Sequence, residues 1–367
     1  MSGGRYAPWK TPERACAKPD TWPAPDCALW QRALEPADLL DPDGSNGSRF
    51  GFSVRSNQKI EQGYGRWITY LEHHDAEALT LAPADRITSE RVKGFLDRLQ
   101  GLGNSTQTCL SRLQDLHDMA KVLAPQKDWR FLSRFAARIR SQHRPARSKV
   151  HLRLSDELLV LGFALMDEAV SQTTKRKVAI LFRDGLIIAV QALFANRRRN
   201  LASIHIGKNL IVTGDAYLLR FEEDETKTGQ FLEFECPAEL TSAIDAYLTI
   251  HRPYLAELTG RWSKPIGEAL WISSDGSPMT EMAVYDVVRK RTKAAFGKAT
   301  SIHLFRDAAA TTLAIADPEN VRVAASLLGH RDLATTERYY QQANQQIAHR
   351  EFVATLFATG GRDDRDG

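Results

Sequence analysis

Two histidines, an arginine and a pair of tyrosines recur at fixed intervals between Ser301 and Tyr340. The stretch opens S-I-H-L-F-R-D-A-A-A-T-T-L-A and closes L-L-G-H-R-D-L-A-T-T-E-R-Y-Y. These residue types suit phosphodiester cleavage without a metal. A tyrosine phenol, with a pKa of about 10, attacks phosphorus once its proton is taken. An arginine fork donates two parallel hydrogen bonds to non-bridging oxygens and keeps its charge. Histidine and lysine move protons, and fixed cations at the phosphate supply the largest share of rate. Each residue alone has a blander reading. Gly329 is an ordinary helix stop, His330 is favourable at a helix C-terminus, and helix tyrosines usually pack in cores. The spacing of the whole set favours chemistry. A zinc site on His303 and His330 is disfavoured, because they are not an H-x-x-x-H pair and no third ligand stands at diagnostic spacing.

The elements that must position these residues start near Leu152. Ser155 can cap a helix to about Gln172, and a second helix runs from Thr174 to Phe194, apolar enough to be central. After A-N-R-R-R-N-L-A-S-I come three short strands, Asn209 to Val212, Tyr217 to Phe221 and Phe231 to Phe234. Turns at Gly214-Asp215 and Lys227-Thr228-Gly229 separate them. Helices are expected over 237–257, 281–296, 303–314, 321–328 and 335–345. A last amphipathic helix carries Ile347, Phe352, Val353, Leu356 and Phe357.

Upstream, residues 55–142 read as a small helical domain. Ile60, Tyr64, Trp67, Ile68 and Leu71 fall at helical spacing, and further helices are expected near 89–99, 105–123 and 129–141. Residues 1–50 are rich in Pro, Asp, Ala and Gly, which predicts turns and extended segments; Trp9, Trp22 and Trp30 imply that part of them packs on something. From Arg130 to Arg153 the basic residues, among them Arg134, Arg138, Arg144, Arg147, Lys149 and Arg153, have no acidic residue between them. A one-sided run joining two domains favours a phosphate-facing strap over a solvated face.

The motif set resembles the tyrosine recombinases of the phage integrase family. That family's signature is H-x-x-R, then L-G-H, then a tyrosine nine residues beyond that histidine. Here these are His303 and Arg306, Leu328-Gly329-His330, and Tyr339. The family's first arginine opens R-x-x-E-L-x-x-L at a helix start, which places it on Arg197, and its hairpin lysine falls on Lys227. The sequence departs from the family in having Asn200 for an acid, Asp307 for a frequent histidine, and Tyr340 beside Tyr339; Arg198 and Arg199 adjoin the assigned arginine.

The resemblance implies a mainly α fold with a small antiparallel β-sheet: a helical, SAM-like core-binding domain and a catalytic domain forming a C-shaped clamp on double-stranded DNA. The expected organisation is an N-terminal extension (1–50), the core-binding domain (51–142), a basic linker (143–151), the catalytic domain (152–358) and a tail (359–367). It implies a 3′-phosphotyrosyl intermediate on Tyr339, with Arg197 and Arg306 clamping the phosphate, Lys227 protonating the leaving 5′-oxygen, His303 taking or sharing the tyrosine proton, and His330 bonding the phosphate. No metal, cofactor or ATP is required. Family members act as tetramers on paired sites, so residues 346–358 are a candidate for docking on a neighbour. A type IB topoisomerase-like enzyme and a binding-only regulator are the rival readings.

Composition agrees. The chain has 367 residues, 43% hydrophobic, with 49 basic and 45 acidic side chains, so it can build two cores. Cys16, Cys27, Cys109 and Cys236 include no C-x-x-C pair, which fits a reducing cytoplasm. No run of about 18 apolar residues predicts a membrane span.

Overall fold

Helical periodicity and hydroxyl caps organise the first part of the chain. Ser53, Thr88 and Ser105 accept hydrogen bonds from the amides of Ser56, Arg91 and Thr108. These caps start α2 (Val54–His74), α3 (Ser89–Gly101) and α4 (Thr106–Leu123); α5 (Arg130–Gln142) follows. Each satisfies an amide that the first helical turn leaves without a partner. Tyr64, Trp67, Ile68 and Leu71 of α2 bury against Phe95 of α3 and Leu113 and Leu116 of α4.

The computed structural model describes residues 11–36, 47–142, 152–258 and 265–317. The chain divides into two units, residues 1–147 and 148–367, each with its own core.

In the first unit the N-terminal residues differ from their composition. Residues 24–34, within the stretch expected to be turns and extended chain, form α1 (Ala24–Leu34). Pro25 lies in its first turn, where proline costs no hydrogen bond. Trp22 and Trp30 join the core of the unit; Trp9 lies outside the described residues. Asp26 of α1 is fully buried and receives Arg86 Nη1 at 2.8 and 2.9 Å and the Tyr64 hydroxyl at 2.5 Å. Ala17 donates to the Gly65 carbonyl at 3.1 Å. The chain crosses α2 so closely there that a side chain at residue 65 would strike the Ala17 carbonyl. Arg14 bonds the Leu102 carbonyl, and Arg98 bonds Glu13 at 2.6 Å. Residues 11–36 are therefore part of this unit's packing.

The second unit is built on α6 (Ser155–Val170) and α7 (Lys175–Phe194). They cross at Gly162 and Gly185, where an added methyl would meet the facing backbone. Arg183 and Arg291 bind opposite oxygens of the buried Asp184, each with a bond of 2.6 or 2.7 Å. That pairing ties α7 to α11 (Glu281–Phe296). Between them run α8 (Arg198–Ala202), β1 (Leu210–Thr213), β2 (Ala216–Phe221), β3 (Leu232–Glu235), α9 (Ala238–Ala246) and α10 (Arg252–Glu257). The expected single helix over 237–257 is thus α9 and α10, joined by a π turn at Tyr247–His251.

The sheet is antiparallel in the order β1-β2-β3, with Leu210 opposite Leu219 and Leu219 opposite Phe234. Tyr217, Leu219 and Phe221 turn inward from β2. The described chain ends just after α12 (Ile302–Ala316). The fold is mainly α with one small antiparallel sheet, and no described helix is long and apolar enough to cross a membrane. The helices expected over 321–328, 335–345 and around 347–357 lie outside the described residues.

Candidate active site

The candidate site lies where α7 ends. Ala195 is left-handed, with φ 45°, and is the sole non-glycine residue at positive φ among the described residues. That conformation is costly for a residue with a Cβ and persists where its surroundings impose it. Here the Ala195 amide caps α7 on the Gln191 carbonyl at 3.0 Å, and its own carbonyl accepts from Arg306 Nη1 at 2.7 Å. Arg306 lies on α12 and is 8% exposed. Ala309 and Ala310 of α12 pack on Ala195; their small side chains let the helix approach this turn.

Gln191 adds a second tie. Its Nε2 donates to the Asn196 carbonyl at 2.9 Å and lies 3.4 Å from the Ile302 carbonyl at the start of α12. Sequence reasoning passed over Gln191. The signal was a single polar residue inside a long apolar run, and it is wholly buried.

Arg197 precedes α8, two residues after the carbonyl that holds Arg306. It is half-buried, and its guanidinium has no hydrogen-bond or ion-pair partner among the described residues. Burial alone lowers its pKa from the ordinary arginine value. His303 stands one turn before Arg306 on α12 and is exposed. Arg198, next to Arg197, instead pairs with Glu281 at 3.3 Å and lies over the Tyr285 ring. That engagement separates it from Arg197, which faces no carboxylate among the described residues.

Lys227 is exposed in the turn between β2 and β3. Thr226 shapes the turn: its hydroxyl accepts from the Gln230 amide at 2.8 Å and lies 2.9 Å from the Gln230 carbonyl. Asn200 of α8, buried, donates to the Glu225 carbonyl at 3.4 Å. A run of bonded segments therefore links Arg306, Arg197 and the Lys227 turn. His330, Tyr339 and Tyr340 lie outside the described residues.

Of the expected DNA-facing residues, Arg134 and Arg138 are exposed on α5. Arg153 is engaged within its own unit, bonded to Glu157 at 2.7 Å and placed 4.7 Å over the Phe296 ring. Arg144, Arg147 and Lys149 lie outside the described residues.

Residues 167–346 match the model of the phage integrase family. The tyrosine recombinase XerD of Staphylococcus aureus (strain N315) is 28% identical over 113 residues, 29% of this chain and 36% of that protein. The match thus spans little more than a third of that relative's length. Among solved structures, a XerH site-specific recombinase bound to palindromic difH substrate in a post-cleavage complex superposes with a TM-score of 0.55. It shares 17% identity, over 83% of this chain and 81% of that one. A pre-cleavage XerH complex with difH substrate gives 0.53 at 16% identity, over 81% and 79%. At this level of identity the likeness concerns the fold.

Proposed function

Because the chain is a tyrosine recombinase of the phage integrase family, we propose that it cuts and rejoins duplex DNA through a covalent 3′-phosphotyrosyl intermediate on Tyr339. The Tyr339 oxygen bonds to phosphorus as the bond from phosphorus to the 5′-oxygen breaks. His303 takes or shares the phenol proton, and Lys227 delivers a proton to the departing oxygen. Arg197 and Arg306 bind the non-bridging oxygens, with His330 as a further donor. The phosphodiester's energy is kept in the tyrosyl linkage, so a 5′-hydroxyl of another strand reverses the step without ATP, metal or cofactor.

Arg197 carries this reading. A desolvated guanidinium without a carboxylate is costly to keep unless an anion arrives. It lies two residues from the carbonyl that fixes Arg306, and a pair of guanidinium forks suits the two free oxygens of a phosphodiester. The exposed arginines of α5 extend the same chemistry to flanking phosphates. A homotetramer on paired sites, with residues 346–358 docked on a neighbouring subunit, completes the proposal.

The test uses duplex DNA from the sequences flanking the coding region, nicked so that cleavage cannot reverse, in EDTA. Wild type gives a detergent-stable protein–DNA band and Tyr339→Phe gives none. A band lost in Tyr340→Phe but kept in Tyr339→Phe reassigns the nucleophile. DNA shifted by wild type without any covalent band favours a binding-only protein.

A further inference from the structure

Lys227 must bring an ammonium to one oxygen, yet it projects from a short exposed turn. A lysine side chain has four flexible bonds, and general-acid transfer needs an approach of about 3 Å. The turn must therefore be held from outside, and Glu225, two residues away, is where it is held. One carboxylate gathers three donors. Asn209 Nδ2 lies 3.2 and 3.1 Å from its two oxygens, Lys208 Nζ lies at 2.8 Å, and the Glu222 amide lies at 3.0 Å.

Asn209 is itself buried and anchored. Its amide group also donates to the Arg220 carbonyl at 3.1 Å, and its oxygen accepts from the His205 amide at 3.1 Å. The Glu225 carbonyl faces the other way, to Asn200 on α8, three residues after Arg197. A carboxylate at position 200 could not donate that bond; the amide can.

We propose that Glu225 is a positioning residue, a latch that fixes the Lys227 turn to the β1 approach and to the helix of Arg197, and so sets where Lys227 reaches the phosphate. The proposal rests on the strand-transfer reading above. Glu225 touches neither the reacting atoms nor Lys227. Burial pushes the Glu225 carboxyl up, but Lys208, the Glu222 amide and Asn209 outweigh it and hold it below its ordinary range. Lys208 is held above its own ordinary value by the same bond. The latch is thus closed with both partners charged.

The experiment compares two nicked duplexes with the full-length protein: an ordinary scissile phosphodiester, and one whose 5′-bridging oxygen is sulfur. A thiolate leaves without receiving a proton, so the sulfur substrate needs no general acid. Glu225→Gln is expected to lose about tenfold or more in the rate of adduct formation on the ordinary substrate, as for a misplaced catalytic group, and to stay within about twofold of wild type on the sulfur substrate. Lys208→Met, at an exposed side chain whose loss spares the core, shows the same selective loss in smaller measure.

Equal losses on both substrates, or no loss on either, for both variants overturn the latch. Lys227→Ala is the reference. If the sulfur substrate does not restore it, the role assigned to Lys227 fails and takes the latch with it. Wild type that forms no adduct on either substrate overturns the strand-transfer reading itself.

Discussion

Arg86 in the first unit and Arg197 in the second are both drawn out of water, and they are treated in opposite ways. Arg86 is 1% exposed. Its Nη1 reaches both oxygens of Asp26, its Nε donates to the Leu81 carbonyl at 2.9 Å, and Tyr64 binds the same carboxylate. Asp184 with Arg183 and Arg291 repeats that solution in the second unit. Arg197 has no such partner among the described residues, and burial depresses its pKa. A cation matched at close range is committed to the fold. A cation desolvated and left unmatched is destabilising in the free protein, and is kept where an incoming anion completes it.

The comparison breaks first on stability. Arg86→Met strands Asp26 as a buried, unpaired carboxylate and is expected to cost about 3–5 kcal/mol. Urea unfolding followed by tryptophan fluorescence reads this, since Trp22, Trp30 and Trp67 are buried in that core. Asp26→Asn in the same chain should recover part of the loss, because no charge is then left alone. An unchanged midpoint in Arg86→Met would mean that the pair contributes nothing.

Arg197→Met should behave the other way. Its unfolding midpoint is expected to hold or rise slightly, since a half-buried cation without a partner among the described residues is removed. Its rate of covalent adduct formation should fall by about 10²–10³, the usual consequence of losing one preorganised donor to developing charge. If Arg197→Met unfolds as readily as Arg86→Met, the residue belongs to the fold and the reading built on it is lost.

The sequence made one side of this comparison visible. Arg197 stands in a motif, and the helices around it follow from apolar spacing; the cap expected at Ser155 falls instead on Leu154, while Thr174 and Thr280 supply caps that only the structure reveals. The hairpin followed from its turn residues. The Asp26–Arg86 pair was invisible, because its members are 60 residues apart and nothing local couples them. Composition also concealed α1: Pro and Asp read as breakers, yet at a helix start both are favourable. Asn200 was legible only as a missing acid, because its bond to the Glu225 carbonyl joins residues 25 apart in sequence. The proposed nucleophile stands on spacing alone, since Tyr339 lies outside the described residues.

The smallest effect carries the comparison to the surface. On α5, Phe131, Leu132, Phe135, Ala136 and Ile139 pack inward, leaving Arg130, Arg134 and Arg138 on the outer side at intervals of four. Arg130 is already engaged by Asp128, with Nη2 at 2.7 Å from the carboxylate. The guanidinium groups of Arg134 and Arg138 have no partner at bonding distance among the described residues. If unmatched cations are reserved for phosphate here too, Arg134→Gln and Arg138→Gln should each lower the slope of log affinity against log salt by about 0.9. Arg130→Gln should change it less, because a phosphate contact there first displaces Asp128. Fluorescence anisotropy with one labelled duplex, titrated from about 50 to about 200 mM salt, separates the three. Equal slopes in all three variants and wild type would make α5 a solvated face and confine the rule to the buried site.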